Sequence, residues 1–414
     1  IVLPRGGRDV VVHEWKSSVG HRFHDDFQGL DNWGKENDCL DELADHGVMP
    51  DFEHTAAYQT TAFDAKGRSH LIRSSRPLYY LLRRGRSAGS LDRGLLAQAL
   101  AEGVEVRFND RVRHISGPGI IATGPGKADV IASGYIFDTN SGDGSWFSLD
   151  QKLAPGGYAY LLIKDGRGTL ASCMYADFHN QSRYVDRTRA FFTGKLGFSM
   201  SNLRKFGGYG SWSVNMHPVL AGNPVVGERA GAIDALAGFG LRHSMKSGIL
   251  AAQSILGQRD YVQAWRREIL PQLRTGVANR MIFEKVGSRV RGWALRHLAG
   301  PGADPLDRLR LLYAAHGLTS LAYPLAALKN RGEYEHRCSA TKRCDCVRCK
   351  KSRRESLQKS RGPSLAASTF SVNQEIQYRA KPEIPVAIAV TKRAPDRPWN
   401  TRPTKVQSAT TRSA

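Results

Sequence analysis

The chain has 414 residues, of which 41% are hydrophobic, and this is enough for a sizeable core in one large or two to three ordinary domains. Six cysteines in so long a chain exclude a small disulfide-stapled fold and favour a reducing compartment. The formal charge of +22 allows contact with nucleic acid or with an anionic membrane surface.

The sequence shows neither a membrane-spanning segment nor a signal peptide. No run of about 18 uncharged apolar residues occurs, so no integral membrane segment is predicted. The first residues lack the basic start and apolar stretch of a signal peptide. The expected location is therefore cytoplasmic, with peripheral contact to a membrane left open.

The first elements are predicted to be a helix end and a buried strand. Residues 1–7 read as the end of a helix closed by Gly6 and Gly7, and Arg8–Glu14 then reads as a short strand ending in an acid. A crossover helix needs a preceding strand on which to pack. We therefore expect this sequence to begin within a larger strand and helix unit.

The same alternation returns later in the chain. Apolar residues at helical spacing begin at Leu91, Gly103 closes that helix, and residues 104–108 alternate like a strand. Residues 119–124 form a further predicted strand that ends in a Gly and Pro turn. Between these pieces, 51–84 and 135–212 have the texture of an antiparallel sheet, with a hairpin about the turn 164–167.

The segment 225–248 carries the most information about function. A strand ends in Gly227 and Glu228, further glycines follow, and a long helix then begins. Glycines let a backbone pass close to a flat group, and a helix start offers free N–H groups and positive dipole to an electron-rich ring edge or an anion. The carboxylate of Glu228 is placed to accept hydrogen bonds from hydroxyl groups.

This segment resembles the second flavin-contacting motif of FAD-dependent oxidoreductases in the geranylgeranyl-reductase and aromatic-hydroxylase superfamily. Residues 10–14, 91–96 and 121–124 resemble further motifs of that family in the expected order, and 20–23, 26–33 and 80–85 resemble one of its subgroups. The resemblance implies FAD as cofactor, with Glu228 at the ribityl chain and the turn from Gly238 to Leu241 under the flavin. The FAD-contacting residues that it implies are Glu14, Arg22, Arg84, Arg93, Ala122, Thr123, Gly124, Gly227, Glu228, Gly231, Asp234, Gly238, Gly240 and Leu241.

The same resemblance implies a fold and its boundaries. The expected fold class is α/β, with an FAD-binding Rossmann-like parallel sheet interleaved with an antiparallel-sheet substrate domain, all within 1–330. The FAD half takes 1–38, 86–134 and 221–258, and the substrate half takes 39–85 and 135–220. A helical region (259–330), a Cys-rich segment (331–352) and a disordered basic tail (353–414) follow.

The resemblance also implies an activity. The segment 125–129 stands where aromatic hydroxylases usually carry Asp-Gly, which favours a reductase of an apolar, prenyl-type substrate over a monooxygenase. NAD(P)H is a candidate electron donor, with ferredoxin-like donors also open, and no catalytic residue is singled out. Cys173, on a predicted strand among apolar neighbours, is expected to be a buried inert thiol rather than a proton donor.

A different class of function rests on the carboxyl end. Cys338, Cys344, Cys346 and Cys349 could ligate zinc or an iron–sulfur cluster, undergo reversible thiol chemistry, or be free cysteines. Because their surroundings are hydrophilic, we expect less than one zinc or iron per chain. From 351 to 414 there are 13 Lys and Arg against 4 Asp and Glu. The alternative is thus a degenerate flavoprotein scaffold whose basic, Cys-rich tail contacts nucleic acid or membrane.

The position of Glu14 carries a further expectation. The acid that meets the ribose follows the glycine fingerprint by about 20 residues in dinucleotide-binding units. Because Glu14 is the fourteenth residue, the fingerprint would lie before Ile1. We therefore expect the strand at Asp9–Glu14 to expose an unpaired edge, and the chain as given to bind FAD weakly and to purify colourless.

Overall fold

The protein is a mixed α/β structure in which two sheets face different sets of helices. The structure, a computed structural model, describes residues 1–34, 37–112, 115, 117–126, 128–314, 322–324 and 386–392. In that part of the chain the strands form sheets of four, seven, three and two strands. Parallel and antiparallel pairing both occur, which confirms the predicted fold class.

The helices of the described residues are α1 (Val2–Arg5), α2 (Cys39–Ala44), α3 (Leu91–Ala101), α4 (Gln181–Leu196), α5 (Leu241–Ile255), α6 (Tyr261–Glu268), α7 (Leu270–Lys285), α8 (Ser288–Ala299) and α9 (Pro305–Tyr313). The first eight strands are β1 (Arg8–Glu14), β2 (Asp26–Asp31), β3 (His54–Ala57), β4 (Gln59–Phe63), β5 (Ser69–Arg73), β6 (Tyr79–Arg84), β7 (Glu105–Phe108) and β8 (Gly119–Ile121). The others are β9 (Val130–Asp138), β10 (Gly144–Ser148), β11 (Tyr158–Lys164), β12 (Arg167–Met174), β13 (Ser201–Gly210), β14 (Val219–Leu220), β15 (Asn223–Pro224) and β16 (Val386–Lys392).

The strands of the two predicted helix and strand units, β1 after α1 and β7 after α3, lie in the four-stranded sheet. Its order is β7-β1-β16-β8, and β1 and β7 run parallel with Val11 opposite Glu105. Helix α3 is capped by Ser90, whose hydroxyl accepts a hydrogen bond from the backbone N–H of Arg93, and it ends one turn before β7. The predicted boundaries of these units are therefore confirmed.

The edge predicted for β1 is wrong, because the carboxyl-side strand β16 lies beside it. β16 pairs antiparallel with β1 on one side, where Val10 faces Val390, and with β8 on the other. The side chain of Val390 is buried in the core of this sheet. The alternation of small and β-branched residues in 386–392 suits a buried strand, so these seven residues correct the prediction of a disordered tail from 353 to 414.

The seven-stranded sheet matches the predicted antiparallel texture. Its order is β13-β9-β12-β11-β10-β4-β5, and β11 and β12 form the predicted hairpin with Tyr158 opposite Cys173. Asp165 and Gly166 connect them, and both have positive φ, as a two-residue hairpin turn requires. Helix α4 packs on this sheet and buries Phe192 completely.

The helices after β15 divide between two cores. Helices α5, α6 and α7 pack on the four-stranded sheet, where Trp265 is fully buried. Helices α8 and α9 pack through Leu295 and Leu306 against the end of the seven-stranded sheet. Trp293 in α8 and Leu312 in α9 are not part of these cores and are 59% and 38% exposed. None of the helices in the described residues has the length and apolar content needed to cross a membrane.

Candidate functional site

The predicted glycine turn folds into a tight loop before α5. One turn of 3-10 helix at Gly227–Ala230 follows β15, and α5 then begins at Leu241. The residue at the helix cap is Gly240, which has no side chain that could accept hydrogen bonds from the first N–H groups. The first N–H groups of a helix lack partners within it, and such a helix start is a common site for an electron-rich group.

Asp234 stabilises the conformation of this loop through hydrogen bonds. Its carboxylate accepts hydrogen bonds from the backbone N–H of Ala237 at 2.7 Å and from the hydroxyl of Tyr313 at 3.1 Å. The backbone N–H of Gly238 donates to the carbonyl of Asp234 at 3.0 Å. Burial raises the pKa of the Asp234 carboxyl to about 6. The residue is a positioning group for the loop.

We expect Asp234→Asn to change the pH dependence of stability. An unfolded Asp has a pKa of about 3.9, so the raised pKa means that the folded protein binds the proton more tightly. That contribution to stability is present below about pH 4 and is lost as pH rises through about 6. Between pH 4 and pH 7 the free energy of unfolding of the parent should therefore fall, relative to that of the variant, by on the order of 2 kcal/mol.

Denaturant unfolding at pH 4, 5, 6 and 7 measures this difference. Asp304→Asn is the control, because hydrogen bonds from Ser74 and its neighbours lower the pKa of Asp304 to about 2 and place its titration below pH 4. Parallel stability curves for Asp234→Asn and the parent between pH 4 and 7 would contradict the role given to Asp234.

Glu228, at the start of this loop, forms an ion pair with Arg22. The guanidinium of Arg22 donates to the carboxylate of Glu228 and to the backbone carbonyl of Tyr209. The Arg22 and Glu228 side chains are 30% and 16% exposed, so both remain within reach of a bound molecule. Residues 206 positions apart in the sequence thus provide one cation and one carboxylate side by side.

Arg84 is a second cation close by, and it is firmly held. Its guanidinium makes two hydrogen bonds of 2.9 Å to the carboxylate of Asp92 and lies 3.9 Å from the centre of the Phe23 ring. A bidentate pair fixes the guanidinium plane. The charge of Arg84 is therefore balanced in part by Asp92.

These groups open onto one large cavity of about 900 Å³. Nine of the predicted cofactor residues line it: Arg22, Arg84, Ala122, Gly124, Gly227, Glu228, Gly238, Gly240 and Leu241. The cavity thus gathers segments from the start, the middle and the later part of the chain. The other five predicted residues are Glu14, Arg93, Thr123, Gly231 and Asp234, and they do not line it.

The residues outside the cavity have other surroundings. Glu14 ends β1 half-buried, and burial raises the pKa of its carboxyl. Arg93 is exposed on α3. Gly231 packs against Ser213, where a Cβ would lie 2.3 Å from the Ser213 hydroxyl oxygen. Direct contact of these residues with a cofactor stays a prediction.

The cavity also has an aromatic wall, most of which comes from strands of the seven-stranded sheet whose residues were not named for the site from the sequence; Trp33 and Phe239 come from the predicted segments 26–33 and 238–241. Its aromatic members include Trp33, Tyr79, Trp146, Phe147, Tyr158, Tyr160, Phe206 and Phe239. Tyr158 donates its hydroxyl proton to the carbonyl of Ala237 at 2.8 Å, which ties the seven-stranded sheet to the glycine loop. Alternating aromatics along β11 were the available signal, but only the fold shows which face they occupy.

Two polar residues that line the cavity bear on chemistry. Burial raises the pKa of the Cys173 thiol to about 12, so it is held as a protonated thiol. Asn279 lies on α7, and its amide donates to the carbonyl of Leu312 at 2.8 Å. Its carbonyl oxygen is buried without a hydrogen-bond partner among the described residues. A single Asn within a helix gave no sequence signal for such a site.

The predicted cysteine cluster at Cys338, Cys344, Cys346 and Cys349 lies outside the described residues. Within the described ranges, no three His, Cys, Asp or Glu side chains are grouped as metal ligands. The expectation about a metal therefore stays a prediction.

Solved structures share this architecture, although no family model and no curated protein matches the chain. A geranylgeranyl bacteriochlorophyll reductase-like protein from Thermoplasma acidophilum superposes with a TM-score of 0.55 at 16% identity, covering 80% of this chain and 92% of its own. A flavin-dependent brominase gives 0.56 at 12% identity, with 79% and 94% covered. A probable FAD-dependent monooxygenase from Pseudomonas aeruginosa gives 0.52 at 14% identity, with 72% and 94% covered.

These likenesses establish the fold, and the site's own residues are compatible with a flavin. The cavity is bordered by a glycine loop, by the start of α5, and by a carboxylate beside a guanidinium. These are the donors and acceptors that a ribityl chain, a pyrophosphate and an electron-rich ring require. The chain therefore has the fold of FAD-binding flavoproteins with a Rossmann-like domain.

Proposed function

We propose that this protein is an FAD-dependent oxidoreductase that binds an apolar substrate in the same cavity as the flavin. The observation that carries the proposal is the continuity of that cavity, which runs from the glycine loop to the aromatic wall of the seven-stranded sheet. Ligand sites are commonly apolar clefts with a few converging polar groups. The shared fold with flavin-dependent proteins supports the same assignment.

The residues of the chain would bind and orient the two molecules. Bound FAD supplies hydride transfer. The Glu228 carboxylate accepts hydrogen bonds from ribityl hydroxyls, and Arg22 faces the negative part of the cofactor. Asp234 and Tyr158 hold the loop that supports the ring. The aromatic wall excludes water from the side on which the substrate reacts.

The proposed activity is reduction of a prenyl-type carbon–carbon double bond. An apolar cavity of about 900 Å³ suits a long hydrocarbon, and the buried carbonyl oxygen of Asn279 is a candidate acceptor for a polar head group. Monooxygenation of an apolar substrate is the alternative, because a probable monooxygenase has the same fold. NADPH and NADH are the electron donors to test first.

Anaerobic reoxidation of the flavin separates these activities. The flavin is reduced in the protein, then mixed without oxygen with a prenyl alcohol or its diphosphate. A reductase returns the flavin to the oxidised spectrum and yields the saturated product. If reoxidation needs oxygen and yields a hydroxylated product, the protein is a monooxygenase. If neither substrate-dependent reaction occurs, the enzymatic proposal fails and the scaffold alternative is favoured.

Glu228→Ala should weaken FAD binding by about 1.5 to 3 kcal/mol, because a charged hydrogen-bond partner of the ribityl chain is lost. This corresponds to a rise in Kd of roughly 10- to 150-fold, measurable by quenching of flavin fluorescence. Glu102→Ala is the matched control, since Glu102 forms an ion pair with Arg5 and does not line the cavity. Equal FAD affinity in Glu228→Ala and Glu102→Ala would remove Glu228 from the site.

A further inference from the structure

The cavity opens to the surface between apolar side chains that are themselves exposed. Ile282, Val290, Trp293 and Leu312 all line the cavity, and they are 36%, 49%, 59% and 38% exposed. Leu311, next to them in α9, is 72% exposed. These five residues of α7, α8 and α9 form what we call the mouth patch. Exposed apolar groups concentrated at one place mark an interaction surface.

The segment 282–312 has an excess of positive charge, with six Lys and Arg against Glu284, Asp304 and Asp307, and its middle part has no acid. From residue 285 to residue 303 there are four Lys and Arg and no Asp or Glu. Lys285, Arg289 and Arg296 are exposed. In α8, Arg289, Trp293 and Arg296 are three or four residues apart, so they lie on one helix face. Trp293 also stacks on His297, with ring centres 5.5 Å apart.

An exposed Trp among Arg residues is typical of a helix that lies at a membrane interface. The indole ring enters the boundary between head groups and acyl chains, while the guanidinium groups remain with anionic head groups. A protein partner would also accept an apolar patch. The positive charge of α8, which has three Arg and no Asp or Glu, and the continuity of the patch with an apolar cavity favour a lipid surface.

We propose that the mouth patch docks on a bilayer containing anionic phospholipid, so that the cavity opens directly into the membrane interface. No helix in the described ranges crosses a bilayer, and docking through α8 and α9 needs none. The surface differs from the basic tail considered from the sequence, because the apolar residues and the charge lie in 282–312.

Co-sedimentation of the full chain with vesicles tests the docking without flavin or substrate, so its outcome is independent of the enzymatic proposal. Vesicles of phosphatidylcholine with phosphatidylglycerol should bind the protein, and phosphatidylcholine alone should bind it much less. Val290→Ser/Trp293→Ser should lower the partition coefficient by about tenfold. Arg289→Glu/Arg296→Glu should lower it by about thirtyfold or more, and high salt should act in the same direction.

The control Leu100→Ser/Arg107→Glu removes one exposed leucine and one exposed arginine away from the mouth patch, and it should bind like the parent. Circular dichroism of each variant establishes that it is folded. The proposal is overturned if the parent does not bind the anionic vesicles. It is equally overturned if both mouth-patch variants bind as well as the parent, since binding would then come from another part of the chain, such as the basic tail.

Discussion

Replacing Gly238 by valine is expected to abolish measurable FAD binding. Gly238 lies in the loop that borders the cavity and has φ +78°, a conformation that a β-branched residue adopts only with strain of about 1–3 kcal/mol. Its Cβ would also lie 3.3 Å from the hydroxyl oxygen of Tyr175. The loop must therefore shift or admit valine methyl groups into the space where the ring is proposed to lie.

Gly222→Val separates the effect on the site from the effect on the backbone. Gly222 has φ +79° in an exposed turn, and nothing lies within 4 Å of its added Cβ. Both variants should lose stability through similar backbone strain, but Gly222→Val should keep the FAD affinity of the parent. Flavin fluorescence titrations of the two variants give the comparison. Normal FAD affinity in Gly238→Val would mean that the loop does not support the cofactor.

Trp265→Ala is expected to lower the free energy of unfolding by about 3–5 kcal/mol. The indole of Trp265 is completely buried between α6 and the four-stranded sheet. Its N–H donates to the backbone carbonyl of Asn215 at 2.8 Å. Truncation therefore leaves a large cavity and removes the hydrogen-bond donor of the part-buried Asn215 carbonyl. A loss of this size is a large part of the stability of a typical domain.

Trp293→Ala is the matched control, because Trp293 is 59% exposed in the mouth patch. Its removal should change the free energy of unfolding by no more than about 0.5 kcal/mol. Urea unfolding followed by circular dichroism measures both variants. Comparable losses for the two tryptophans would contradict the packing of α6 and α8 described here.

Local signals in the sequence predicted much of the fold. Alternation in Arg8–Glu14, the glycine after α3 and the polar turn between β11 and β12 all mark elements whose boundaries depend on adjacent residues. The place of β16 could not be predicted in this way. Val386–Lys392 alternates as a strand should, but its partners β1 and β8 lie more than 260 residues earlier. The contrast between Trp265 and Trp293 has a similar cause, since helical periodicity does not reveal which face finds a partner.

The sequence predicted the part of the candidate site that lies within one continuous segment. The run from Gly227 to Leu241 combines glycines, an acid and a helix start, and most of its predicted residues line the cavity. Pairing between Arg22 and Glu228 depends on the tertiary fold, as does the supporting hydrogen bond from Tyr313 to Asp234. No sequence motif marks the buried carbonyl oxygen of Asn279. It is a candidate acceptor because it lacks a hydrogen-bond partner among the described residues, and this depends on the tertiary fold.

Titration of the purified chain with FAD tests the central claim most directly. Quenching of flavin fluorescence should saturate at one FAD per chain, even if the affinity is weak, and the same titration should show no saturation for Gly238→Val. Gly222→Val should reproduce the parent curve. Absence of saturable binding by the parent, or equal binding by parent and Gly238→Val, would contradict the assignment of this cavity to the flavin.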